Sequence, residues 1–127
     1  MLAAFVVLLG VVVAGAGTAG AAGYPTTNTP RIEFPGSATE STITWYARSV
    51  NIQGYVVDSK VQAGSTTVKF WFYQANTYVA SQSRTASAGT VSFNFTQDGP
   101  VGGITKILIQ LCNPAGCASP GSYFYRP

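Results

Sequence analysis

The sequence contains no histidine and few charged residues, which make up 9% of its 127 residues. Histidine is the usual general base near neutral pH, the base in Ser-His and Cys-His nucleophile pairs, and the commonest metal ligand. The motifs GxSxG, SxxK, HExxH and the P-loop are also missing. The sequence therefore predicts a protein that is not an enzyme and that uses no metal or other cofactor.

Acidic residues are also scarce, and the four present are Glu33, Glu40, Asp58 and Asp98. A glycosidase needs two carboxylates that face each other across a cleft, about 5 to 10 Å apart. Asp98 precedes a glycine in a turn pattern and Asp58 ends a predicted strand, so surface and turn positions account for these acids. A small carboxylate-dependent hydrolase remains an alternative.

The seven basic residues give a formal net charge of +3. They occur singly along the chain, whereas a nucleic-acid-binding surface concentrates Lys and Arg in clusters. No nucleic-acid partner is expected, and so sparsely charged a surface disfavours binding driven mainly by charge.

The first 22 residues resemble a secretion signal in composition. Leu2 to Ala14 form an apolar run, and the small residues Ala19-Gly20-Ala21 suit a signal peptidase, although no Lys or Arg precedes the run. We predict a signal peptide over 1–22, cleaved near Ala21 or Ala22, and a secreted protein. A retained transmembrane anchor is the alternative. In that case the protein contacts a membrane only through this segment.

The two cysteines, Cys112 and Cys117, enclose the sequence Asn-Pro-Ala-Gly. In an exported protein this spacing predicts a disulfide that closes a small loop. A redox role favours CxxC at a helix N-terminus, and neither feature occurs here.

The rest of the chain alternates short β-branched or aromatic runs with turn residues, and apolar residues do not recur at helical spacing. We expect a polar linker over 23–30 and a single domain over 31–127. The predicted fold class is all-β, a small antiparallel β-sandwich of seven or eight strands, immunoglobulin-like or similar. The predicted strands are Arg31–Phe34, Thr42–Tyr46, Ser49–Asp58, Thr67–Tyr73, Tyr78–Gln82, Thr90–Thr96, Ile104–Cys112 and Ser122–Arg126.

Alternation assigns side chains to the two faces of each strand. In the segment VKFWFYQ, Val68 to Gln74, we expect the side chains of Phe70 and Phe72 to face the core. Trp45 shares a face with Ile43 and is predicted to be the core tryptophan. In the sixth strand the core-facing set is Val91, Phe93 and Phe95.

Outward-facing rings are the main candidates for a binding site. If Phe70 and Phe72 are buried, Trp71 and Tyr73 point outward. Tyr55 lies on the outward side of another strand, and exposed Trp and Tyr are enriched in binding hot spots. We predict a patch of Trp71, Tyr73 and Tyr55, with Lys69 and Arg48 as polar anchors. Alternatively, the C-terminal segment SYFYRP covers these rings.

The sequence thus predicts a secreted β-sandwich that binds without catalysis at the cell surface or to an extracellular ligand. Candidate partners are a cell-envelope glycan or an extracellular protein. The second hypothesis is a secreted effector, either a bacteriocin-like toxin or a protease inhibitor that presents the Cys112–Cys117 loop. The third hypothesis is the small carboxylate-dependent hydrolase.

Asn94-Phe95-Thr96 matches a glycosylation acceptor, which is relevant only in a host that glycosylates its exported proteins.

Overall fold

The computed structural model describes residues 23–59, 64–119 and 121–127. The signal peptide predicted over 1–22, and the anchor that is its alternative, lie outside the described residues. The described part of the chain contains no helix, and hence none long and apolar enough to cross a membrane.

The described residues form ten β-strands. In chain order they are β1 Thr26–Asn28, β2 Ile32–Phe34, β3 Ser37–Trp45, β4 Val50–Asp58, β5 Thr66–Gln74, β6 Thr77–Ala86, β7 Gly89–Gln97, β8 Lys106–Asn113, β9 Gly116–Cys117 and β10 Ser122–Tyr125.

The strands pair into two antiparallel sheets of five strands each. In the first sheet β1 and β2 both pair with β3, and the order continues through β4 to β7. In the second sheet the order is β6, β5 and β8, and both β9 and β10 pair with β8. The predicted all-β antiparallel sandwich is confirmed, and the short strands at two of the edges raise the strand number to ten.

The core lies between the sheets and is built on inward-facing aromatic rings. Phe70, Phe72 and Trp45 are fully buried, as the alternation predicts. The Phe70 ring meets Phe93 and Phe95 edge-on, with centroids 5.5 and 5.3 Å apart. Such edge-to-face pairs add to the stabilisation that burial itself provides.

Two regions differ from the expectations. Val91 faces inward, yet it is 37% exposed because β7 is an edge strand and the sandwich is open beside it. Within the predicted linker, Thr26–Asn28 pairs with β3, and Thr29 is buried and hydrogen-bonded to Ser41. Hydrogen bonds rather than apolar burial hold this segment in place. Its low apolar content therefore did not predict that it would pair with a strand.

Strand β4 carries a glycine where the backbones of β3 and β4 are tightly packed. Gly54 pairs with Ser41 on one side and with Phe93 on the other. A Cβ atom at residue 54 would overlap the Glu40 carbonyl oxygen and lie 2.7 Å from the Ser41 Cα. The site therefore excludes every larger side chain.

We expect Gly54→Ala to lower the free energy of unfolding by about 1–3 kcal/mol, because the extra methyl group forces the backbone apart. Urea denaturation monitored by tryptophan fluorescence measures this change. Gly89→Ala is the matched control, since a Cβ there meets no atom within 4 Å. Equal effects of the two substitutions would contradict the packing argument.

A buried chain of hydrogen bonds, which we call the polar relay, joins the sheets at one end of the sandwich. The Asn113 amide donates to Ser37 Oγ (2.8 Å), which lies 2.6 Å from Thr66 Oγ1. The Thr66 hydroxyl donates to the Asp58 carboxylate (2.6 Å), so Ser37 donates to Thr66. The Ala88 N–H donates to the other Asp58 oxygen (2.7 Å). The bonds from Thr66 and Ala88 lower the pKa of Asp58.

This lowered pKa predicts a contribution to stability that depends on pH. The folded pKa lies below the unfolded value of about 3.9, so the stabilisation is complete above that value and is lost as pH falls through the folded pKa. We expect the melting temperature of Asp58→Asn to be reduced at pH 7 and to fall less than that of the wild type between pH 4 and pH 2. Calorimetry across this range, with Asp98→Asn as the control, measures the difference. Parallel profiles for Asp58→Asn and the wild type would refute the assignment.

Candidate functional site

The outer face of the second sheet carries a cluster of aromatic side chains, which we call the aromatic face. It occupies two cross-strand rows of neighbouring residues that run from β6 through β5 and β8 to β10. One row consists of Tyr78, Tyr73, Lys106 and Tyr125, and the other of Ser81, Trp71, Leu108 and Tyr123.

The inward packing of the same strands determines this arrangement. On β5 the buried positions alternate with Trp71 and Tyr73. On β10, Phe124 pairs with the buried Ile107 and packs against the core, so Tyr123 and Tyr125 face outward. The face is therefore a direct result of the period of two along each strand.

The rings differ in their exposure to solvent. Tyr78, Tyr123 and Tyr125 are 55%, 50% and 63% exposed, whereas Trp71 and Tyr73 are half-buried. The C-terminal segment does not cover Trp71 and Tyr73, because β10 pairs with β8 and lies in the plane of the sheet. It extends the aromatic face by two rings.

Lys106 occupies the centre of the aromatic face. Its ammonium nitrogen lies 4.9 Å from the centroid of the Tyr73 ring and 5.3 Å from that of Tyr123. One ammonium hydrogen bond goes to Asn76 Oδ1 at 2.9 Å. Cation–π contacts of this kind hold the amine among the rings while leaving donors for a further partner.

Among the described residues, the two charged side chains on the aromatic side of the second sheet, Lys69 and Lys106, are both positive. Lys69 is exposed one outward position from Trp71, between Ser83 and Gln110 of the neighbouring strands. No carboxylate lies on the outward side of β5, β6, β8 or β10. The four acids are found on the outer face of the first sheet, in the polar relay and in the segment after β7.

Tyr55 is separated from Trp71 and Tyr73 by the full thickness of the sandwich. It projects from β4 on the outer face of the first sheet, where its hydroxyl donates to Glu40 Oε1 (2.7 Å) and accepts from Arg31 (2.9 Å). The hydrogen bond to Glu40 raises the pKa of Tyr55. The structure therefore does not bring Tyr55 into the predicted patch.

Arg48, the second predicted anchor, lies in the turn between β3 and β4 and is exposed. Its backbone carbonyl accepts a hydrogen bond from the Ile104 N–H at 3.2 Å, which places it at the end of the sandwich. Sequence reasoning missed Lys106 as the central cation. Its outward position follows from alternation, but its position beside Tyr73 depends on the pairing of β5 with β8.

The acids on the first sheet form a chain of polar contacts. Arg31 Nε contacts Glu33 Oε2 at 2.6 Å, and the same guanidinium binds Tyr55, which in turn binds Glu40. A shallow pocket of about 400 Å³ adjoins Arg31 and Glu33. Partners within this chain already engage both carboxylates. The described residues contain no group of three or more His, Cys, Asp or Glu suited to a metal ion.

The predicted Cys112–Cys117 disulfide is present and links directly paired residues of β8 and β9. Within the loop, the Ala115 N–H donates to Asn113 Oδ1 at 2.8 Å. The Asn113 amide also donates to the Pro35 carbonyl at 2.8 Å, which ties the hairpin to the first sheet. The loop is thus a closed hairpin anchored to the body of the protein.

No family model matches the chain, and comparisons with curated proteins and with solved structures give no significant match. The candidate site therefore rests on the geometry of this chain alone.

Proposed function

We propose that the protein is an extracellular, non-catalytic binding module that holds an acidic polysaccharide on its aromatic face. The array of five aromatic rings around Lys106, contributed by three strands, is the main support for this proposal. Ring-lined flat surfaces suit extended ligands with repeating apolar faces, and a chain of sugar rings has this form.

The exposed rings supply the stacking surface. The C–H groups on one side of a sugar ring carry partial positive charge and favour the electron-rich face of an aromatic ring. Neighbouring strands lie about 4.8 Å apart, so the row from Tyr78 to Tyr125 spans about 14 Å. This length accommodates a short run of sugar rings, and it suits an internal stretch of a chain as well as an end.

The lysines favour a ligand that carries carboxylates. Lys106 lies between the rings with ammonium donors to spare, and Lys69 provides a second positive charge on the same side of the sheet. Exposed ion pairs contribute only about 0–1 kcal/mol each. The rings therefore supply most of the affinity, while the lysines select uronic-acid chains over neutral ones.

The Cys112–Cys117 disulfide supports an extracellular location, because disulfides persist in oxidising compartments. The composition of residues 1–22 supports export for the same protein. A binding module on an external polysaccharide requires this location.

We expect removal of the exposed rings to weaken binding to polygalacturonate. Loss of a hot-spot ring costs about 1–2 kcal/mol, so Trp71→Ala and the double variant Tyr123→Ala/Tyr125→Ala should each raise Kd about five- to thirtyfold. Isothermal titration calorimetry measures Kd. Tyr55→Ala on the opposite sheet is the control and should leave Kd unchanged.

The double variant changes only exposed side chains, so it tests the face even if Trp71→Ala loses stability. Circular dichroism establishes that each variant is folded. A wild-type protein that binds neither acidic nor neutral polysaccharides would refute the proposal, as would a folded double variant with unchanged Kd.

We expect Lys106→Gln to reduce the preference for polygalacturonate over neutral galactan by about threefold, since it removes one exposed ion pair. Raising the salt concentration should reduce the wild-type preference in the same way, because salt screens exposed charges. Parallel titrations with both polysaccharides measure the ratio. The lysine assignment would be refuted by an unchanged ratio in a variant that still binds.

A further inference from the structure

The described strands leave four sheet edges, and two of them are short. One is divided between β1 and β2, of three residues each, with Pro25, Pro30 and Pro35 beside them. The other is divided between β9 and β10, of two and four residues. Short strands and prolines prevent an edge from pairing with another chain.

The other two edges, β6 and β7, are long but differ in protection. On β6, Arg84 faces the interior, and the pairing with β5 shifts register between Phe72 and Tyr73. Inward charges and bulges both oppose pairing with a further strand. By contrast, β7 has nine residues, GTVSFNFTQ, with no charge and no proline, and all nine pair in register with β4.

The side of the sandwich along β7 is incompletely covered. Val91 is 37% exposed although it faces inward, and Phe95 is half-buried. The Arg84 guanidinium lies 4.3 Å from the Phe95 centroid, and Gln82 donates to Gln97 at 2.8 Å. These polar side chains close part of the gap and leave Val91 open to solvent.

We propose that β7 pairs antiparallel with β7 of a second copy of this chain and joins the two first sheets into one continuous sheet. Full overlap of nine residues places the twofold axis at Phe93. In that register Val91 lies opposite Phe95 of the second copy, so the exposed Val91 and the half-buried Phe95 each gain an apolar cross-strand neighbour. On the outer side the facing pairs are Thr90 with Thr96 and Ser92 with Asn94, and both can form hydrogen bonds.

Charge does not oppose this pairing. Neither strand carries a charge, and the nearest cation, Arg84, lies over Phe95 of its own chain. The two Phe95 residues are four positions apart along the joined strands, so the two guanidinium groups are separated by about 13 Å. A second copy therefore fits the edge better than a charged peptide, which would gain no ion pair there.

One edge-strand contact buries less surface than a standard interface of about 1,600 Å². The dimer should accordingly be weak, and sedimentation of the full chain should show the apparent mass rising with concentration. Ser92→Lys/Asn94→Lys places lysines opposite each other at two positions of the joined strands, and it should weaken dimerisation at least about tenfold.

The control Thr26→Lys/Ser119→Lys adds the same charge at exposed positions, on β1 at the opposite edge of the first sheet and after β9, and should leave the dimer intact. A wild-type chain that remains monomeric up to millimolar concentration would overturn the proposal. Equal weakening by the two lysine pairs would overturn it as well.

Cross-linking tests the register independently. A Ser92→Cys chain mixed with an Asn94→Cys chain should form a disulfide-linked heterodimer under mild oxidation, because the two residues face each other. The pair Thr90→Cys with Asn94→Cys lies out of register and should cross-link poorly. Equal yields from the two mixtures would refute the register.

Discussion

The burial of Phe70 and Phe72 between the sheets is the constraint on which the rest of the structure depends. Strand β5 is central to the second sheet, so two buried rings on one side require Trp71 and Tyr73 on the other. Pairing with β8 then places Lys106 beside Tyr73. The packing of two rings in the interior thus fixes which residues form the outer surface of the same sheet.

The sequence predicts the interior better than the exterior. Alternation alone identifies Phe70, Phe72 and Trp45 as core, because burial leaves a local pattern with a period of two. Alternation also places Tyr55 outward, but it does not state which sheet the residue belongs to. The exposure of Val91 was unpredictable for the same reason, since the edge position of β7 is a property of strand order and not of local sequence.

The aromatic face shows this limit most clearly. Its rings come from β5, β6 and β10. Strands β5 and β6 follow each other and pair directly, whereas β10 lies far along the chain and joins them only through its pairing with β8. Each ring is predictable as outward-facing, whereas their common surface is not. The scarcity of acids is visible in the sequence, but their exclusion from this surface depends on the same long-range register.

The polar relay has a consequence for how the chain folds. Asp58 belongs to β4, and Ala88 lies in the connection where the chain crosses from β6 in the second sheet to β7 in the first, with a positive φ of 52°. Thr66 begins β5. The carboxylate thus fastens a crossing that exists only after both sheets have formed. The bond from the Ala88 N–H to Asp58 therefore requires both sheets to be in place, and it should slow the exchange of this amide proton with solvent.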